Sequence, residues 1–279
     1  MFRRVASRPL IAALAMLVIG SFGGDSAAAQ IDYRNLDEGR PVRTEDAYPV
    51  ERYAFELVLP YQYENERGPG RSHFVAPELA YGILANTMVG LKLPFAALDG
   101  GPGVETRWGF GGPRIFALYN FNTESRRLPA LALRVDASLP LGNLAGDQAR
   151  GAFTAIATRS WGRTRAHLNA TAGFGPGFNT QDEPPAHAIP AWSASAAIDH
   201  TLLRRSVVVI GEIALGEAAG ESDTEVSVAL GGRMQLTPTF VLDAGIERRL
   251  TNRAGADIGL TIGISHAFAL AGLMPAGSQ

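Results

Sequence analysis

From Tyr53 onward the chain alternates in character. Tyr53, Phe55, Leu57, Leu59 and Tyr61 fall on one face, with Glu56, Val58, Pro60 and Gln62 on the other, which is the period of a strand with one apolar side and one more polar side. The last segment is cleaner: Ile258, Leu260, Ile262, Ile264 and Phe268 alternate with Asp257, Gly259, Thr261, Gly263 and Ser265. Between these ends the same reading predicts strands near 73–84, 88–96, 113–122, 129–140, 152–160, 165–174, 190–201, 206–215, 224–236 and 240–249, twelve in all. No stretch carries a convincing helical period. Residues 30–50 are polar, contain proline and have no period, so they read as an irregular periplasmic lead-in.

The connections alternate in length. Short ones fall around 85–87, 123–127, 161–164, 202–205 and 237–239, and longer ones at 64–72, 97–112, 141–151, 175–189, 216–223 and 250–256. An even strand count, segments of about ten residues and alternating turn lengths predict an all-β fold, a membrane-spanning up-and-down antiparallel barrel of about 12 strands. Both termini and the short turns are then expected in the periplasm and the long loops outside. An exported soluble β-sandwich would explain the alternation but not this loop rhythm. The barrel is expected over residues 51–268, followed by a C-terminal tail at 269–279.

The N-terminus explains how such a chain would reach the outer membrane. Arg3, Arg4 and Arg8 precede an apolar run from Leu10 to Gly20, and Ala27-Ala28-Ala29 offers small residues before Gln30. This is the layout of a signal peptide, residues 1–29, cleaved near Ala29/Gln30, and eleven apolar residues fall short of the ~20 that a spanning helix needs. Three of the 25 basic and one of the 27 acidic residues go with it, leaving a net charge of −4. With no run of five or six like charges, the chain offers no footprint for nucleic acid. Lys92 is the only lysine and there is no cysteine, which excludes disulfides, thiol nucleophiles and cysteine-ligated zinc.

The final strand, GLTIGISHAF, resembles the terminal targeting signal of bacterial outer-membrane barrels, which implies the barrel insertion machinery as a partner. In that family the aromatic usually closes the chain, whereas here ALAGLMPAGSQ follows Phe268. The opening stretch DEGRPVRTEDAYPVERYAFEL, with the twelve-strand pattern behind it, resembles the phenol meta-pathway transporter family of Gram-negative barrels. The resemblance covers most of the mature chain, its motifs are diffuse, and it implies passage of small, aromatic or hydrophobic, compounds. It supplies no site residue.

Little else carries chemistry. The glycine-rich pieces at 100–103, 109–112 and 173–177 lack the helix and lysine of a phosphate loop and read as extracellular loops. GxSxG and HExxH are absent. Outer-membrane phospholipase A, a twelve-strand barrel of similar size, is the enzyme alternative. Its histidine followed two residues later by Ser-Asn-Gly is missing, and the lipid-facing His200 and His266 read as interfacial side chains at the short-turn ends of their strands. No cofactor or metal is expected.

What remains is the lumen. Its expected pore-lining residues are Glu56, Glu78, Lys92, Arg114, Arg134, Asp136, Arg165, His167, Asp199, Glu212, Arg233, Asp243 and Glu247, joined by Asn120, Asn169, Glu225 and Arg249. These mixed charges are compatible with cross-strand pairs that plug the barrel or with groups flanking a narrow pore, since twelve strands lie between filled and open barrels. Gly231, Gly245, Gly259 and Gly263 remove bulk from one wall, which favours a pore. For the hairpin at 237–239 only pairings of even sum keep both faces intact, and the tightest sets Leu236 opposite Phe240 and Arg233 opposite Asp243. The expected function is a narrow passive channel for small molecules. A non-conducting structural or surface-binding barrel and, more remotely, a lipid-modifying enzyme are the alternatives. Expected partners are outer-membrane lipid and a small-molecule solute.

Overall fold

The structure, a computed structural model, describes residues 32–175, 189–202, 206–217, 224–251 and 256–274. The signal peptide, its cleavage site, most of the loop at 175–189 and the end of the tail lie outside the described residues.

The strands are β1 (Ala54–Glu66), β2 (Arg71–Val75), β3 (Glu78–Leu84), β4 (Thr87–Lys92), β5 (Phe95–Asp99), β6 (Arg107–Phe110), β7 (Arg114–Asn122) and β8 (Ala130–Ser138), then β9 (Arg150–Trp161), β10 (Thr164–Phe174), β11 (Trp192–Thr201), β12 (Val207–Glu217), β13 (Glu225–Thr237), β14 (Phe240–Arg249) and β15 (Ala256–Ala269). All pairings are antiparallel, and β1 pairs with β15 from Ala54↔Ala269 to Glu66↔Ala256, which closes the sheet. Closure leaves no long free edge, the condition for strands to cross a bilayer.

Three of the twelve staves are broken in two. β2 and β3 both run along β1, β4 and β5 form the next stave, and β6 and β7 the one after. Each break holds a proline: Pro77, Pro94 and Pro113. Proline has no N–H to give to the ladder, yet the breaks stay in register. Leu93 N–H donates to the Pro77 carbonyl at 2.8 Å, Gly111 N–H to Pro94 at 2.8 Å and Leu139 N–H to Pro113 at 3.0 Å.

Two expectations on connections need correction. The hairpin at 64–72 is short, because β1 runs to Glu66 and β2 begins at Arg71, where Glu66 N–H donates to Gly70 O at 3.1 Å. Part of the loop expected at 97–112 is strand, since β5 reaches Asp99 and β6 occupies Arg107–Phe110. Polar and glycine-rich composition hid these strands, whose ladder bonds do not depend on side chains.

The barrel is inverted relative to a soluble core. Leu230 is 67% exposed on the outer wall while Arg134 is 1% exposed inside. Ile198, Leu168, Ile262 and Ile213 join Leu230 in an apolar exterior too extensive for a protein that meets only water. Rings gather at the short-turn end, where Phe55 stacks on Tyr81 and Phe268, and His266 stacks on Phe240 at 4.4 Å. At the other end Phe153 stacks on Phe174 and Tyr61 donates to or accepts from His73 Nδ1 at 2.8 Å. Such aromatic girdles mark the two membrane interfaces. His200 and His266 thus sit on the outer wall, near Thr164 and Thr239 respectively. Among the described residues no helix is long and apolar enough to cross a membrane.

Candidate functional site: an occupied lumen

The segment read as an irregular lead-in is irregular, but it occupies the barrel interior. Leu36, Arg40, Val42, Thr44, Glu45, Asp46 and Ala47 are all buried. Without a strand or helix of its own, this stretch must satisfy its backbone on the inner faces of the staves, since buried polar groups left unpaired are costly. Thr44 and Arg43 N–H donate to Glu212 at 2.6 and 3.1 Å, and Ala47 N–H to Thr158 Oγ1 at 3.0 Å. Asn120 Nδ2 donates to Ala47 O at 2.7 Å and Gln62 Nε2 to Gly39 O at 2.9 Å. Asn169, with its amide oriented to satisfy both partners, accepts from Glu45 N–H and donates to Glu45 O at 2.9 Å each.

Side chains bind more strongly. Arg40 ion-pairs with Asp243, with Asp37 at 2.5 Å and with Glu56 at 3.8 Å, and donates to Ser265. Arg134 is shared by Asp136, Glu45 and Glu38 at 3.0, 2.9 and 3.1 Å, and its guanidinium lies 3.9 Å over the Phe116 ring. Arg114 reaches Glu38 at 2.8 Å and Asp136 at 2.9 Å, and Lys92 reaches Glu38 at 3.1 Å and Glu78 at 2.9 Å. Glu38, from the plug, is therefore held by three cations of the wall. Two strands on from β8, Arg165 of β10 joins Asp199 of β11 to Asp46 of the plug at 2.7 and 3.2 Å. Two apolar contacts complete the seat: Ala47 packs among Ala80, Met88, Phe116, Leu118 and Ile156, and Leu36 and Val42 among Ala197, Val208, Ile210 and Ala229.

The glycine wall has an occupant. A Cβ on Gly245 would lie 2.2 Å from the Pro41 carbonyl oxygen, and one on Gly231 2.8 Å from the Pro41 ring. These glycines admit the plug backbone; the space they clear is filled rather than open. Gly259, by contrast, meets only Glu247 Cβ at 3.7 Å.

All thirteen residues expected to line a pore face the interior, and each touches the plug directly or through one wall side chain. His167 makes a buried chain, with Nε2 at 2.9 Å from Asp199 and Nδ1 at 3.1 Å from Thr158 Oγ1. The order hydroxyl, imidazole, carboxylate is that of an activated nucleophile. Thr158 is wholly buried beneath the plug and accepts the Ala47 N–H, so no substrate can reach it while the plug is seated. Among the described residues no cluster of three or more His, Asp or Glu is placed to hold a metal.

The residues that the pattern of alternation missed are those of the plug: Asp37, Glu38, Arg40, Arg43, Thr44, Glu45 and Asp46. Their signal is the charge density of DEGRPVRTED, whose mixed signs complement the wall. Burial, the largest influence, pushes the Glu45 carboxyl up to about 8 against the pull of Arg134, and Glu38 and Asp136 add to the rise. Glu38 goes the other way: burial alone would raise it, but Arg114, Lys92 and Arg134 hold it well below the usual carboxylate range.

The architecture has solved counterparts. The COG4313 outer membrane channel from Pseudomonas putida F1 superimposes with a TM-score of 0.61 at 14% identity, covering 84% of this chain and all of that one. The NanC porin, at a TM-score of 0.53 and 7% identity, and the KdgM porin, in complex with disordered oligogalacturonate, at 0.51 and 8%, each cover 75% of this chain and 98% of theirs. At these identities the likeness is one of fold. No curated protein sequence matches the chain. The closed twelve-stave barrel, its polar lumen and the match of residues 37–258 to one family profile agree, and the chain belongs to the family described as "Putative MetA-pathway of phenol degradation".

Proposed function

We propose that the protein is a passive outer-membrane channel for small, aromatic or hydrophobic molecules, with residues 32–53 as a plug that sets its bore. The carrying observation is how the plug is attached. Its contacts with the wall are mostly ion pairs and hydrogen bonds, which water can replace when the segment shifts, whereas a wholly apolar seat would have to be exposed. The description of the family, phenol degradation, supports an aromatic solute. The reading includes export with cleavage near Gln30, membership of the outer membrane by way of the insertion machinery, short turns in the periplasm, and no catalytic role.

Planar-bilayer recording tests it. The full-length mature chain is expected to give small discrete conductance steps, and a variant lacking residues 32–50 larger ones. If neither folded protein conducts, the barrel is a structural or surface-binding one, the reading that the filled lumen favours on its own.

A further inference from the structure

On the outer wall, at the short-turn end of β8, β9 and β10, lies a groove of about 220 Å³ that the channel reading does not use. Its floor is made of small side chains, Ala157 and Ala166, on neighbouring strands. Leu168 and Trp161, each 58% exposed, rise on either side of it. Small residues between two large ones leave an apolar depression on the wall.

The mouth of the groove is cationic and fixed in shape. Arg159 donates to the carbonyls of Leu128 at 3.0 Å, Arg126 at 2.8 Å and Ser125, all in the turn between β7 and β8. Ser125 Oγ in turn accepts from Arg127 and Leu128 N–H. The turn is thereby pinned to the wall, and it carries Arg127 to the edge of the groove. The guanidinium of Arg127, which lines the groove, has no carboxylate partner among the described residues. Glu124, the acid of that turn, is already engaged by Ser160 N–H at 2.9 Å and by the Tyr48 hydroxyl, with Arg159 Nε at 3.5 Å. An unpaired guanidinium at the edge of an apolar slot, beside a tryptophan at the interfacial level, complements one ligand chemistry: a phosphodiester joined to an acyl chain.

We propose that this groove is a binding site for an anionic phospholipid of the periplasmic leaflet, its phosphate on Arg127 and one acyl chain across Ala157 and Ala166. The assignment of leaflet rests on the orientation given above; the site itself does not require the barrel to conduct. Arg159 is a positioning residue that holds the turn.

Native mass spectrometry of the folded mature barrel released from detergent tests the proposal, with phosphatidylglycerol, phosphatidylcholine and lipid A as probes. One retained phosphatidylglycerol is expected, with about fivefold less phosphatidylcholine retained, as one interfacial cation implies. Arg127→Gln should erase the difference. Ala166→Phe, which fills the floor and leaves every charge in place, should lose the retained lipid while the barrel keeps its heat-modifiable mobility on gels. Equal retention of the two phospholipids, or an unchanged adduct in Ala166→Phe, overturns the site. Preferential retention of lipid A overturns the stated occupant, and epitope display on whole cells reads the orientation independently.

Discussion

Arg233 and Asp243 face each other across β13 and β14, yet neither closes on the other. Asp243 is taken by Arg40 of the plug, and Arg233 lies 3.2 Å from Asp37, also of the plug. A cross-strand pair that the register provides has been opened to admit an arginine and an aspartate from about two hundred residues away in sequence. The wall is thus charged in a way that suits the plug, and the plug brings the complementary signs.

The register itself can be tested by cross-linking, because the chain has no cysteine. Facing Cα atoms lie ~4.5 to 5.5 Å apart, within disulfide range. Arg233→Cys with Asp243→Cys is expected to oxidise readily, whereas Met234→Cys with Asp243→Cys, which point to opposite faces, is expected to stay reduced.

Gly245→Ala should unseat the plug, since a methyl group there meets the Pro41 carbonyl at 2.2 Å. The expected result is larger single-channel conductance with the barrel still folded. Gly259→Ala, on the neighbouring strand, meets only ordinary contact at 3.7 Å and should conduct as the parent does.

Arg134→Met removes a buried cation shared by Glu38, Glu45 and Asp136. Breaking a buried pair on one side typically costs about 3–5 kcal/mol, and here the loss falls on plug seating because two of the three acids belong to the plug. Proteolysis of the purified protein within residues 32–53 should accelerate, while the barrel itself stays resistant.

Seating should weaken as pH rises. Glu45 holds its proton up to about 8 when buried against Arg134, Glu38 and Asp136, against an ordinary value of 4.5 once released. The seated form therefore binds more protons between those values, and its stability falls across that interval and then levels. Glu38 contributes in the opposite sense and is lost only in acid. Conductance is expected to rise between about pH 5 and pH 8, and Glu45→Gln should flatten the rise.

Orientation has its own measurement. An epitope inserted in the connection between β5 and β6, within 100–106, should be displayed on intact cells, and one inserted at Ala85-Asn86 should be hidden until the outer membrane is permeabilised. The reverse display inverts the topology.

Alternation along the chain determined most of this protein. Side chains on a strand point to opposite faces every second residue, so Arg134 and Asp136 could be placed inside, and Leu133 and Val135 outside, without coordinates. The same parity set Arg233 opposite Asp243. It erred by one step at the turn, where a bulge between Gln235 and Thr237 sets Thr237, not Leu236, against Phe240, because an extra residue in a ladder leaves no trace in polarity. The plug was decided only by the tertiary structure. Residues 32–53 have no period to read, and the contacts that seat them on the wall are long-range: Arg40 meets Asp243 at a separation of 203 residues, Thr44 meets Glu212 at 168 and Glu45 meets Arg134 at 89. Local sequence specifies strands through a repeating backbone geometry, whereas the path of an irregular segment is set by the charges of a cavity that exists only after the barrel has closed.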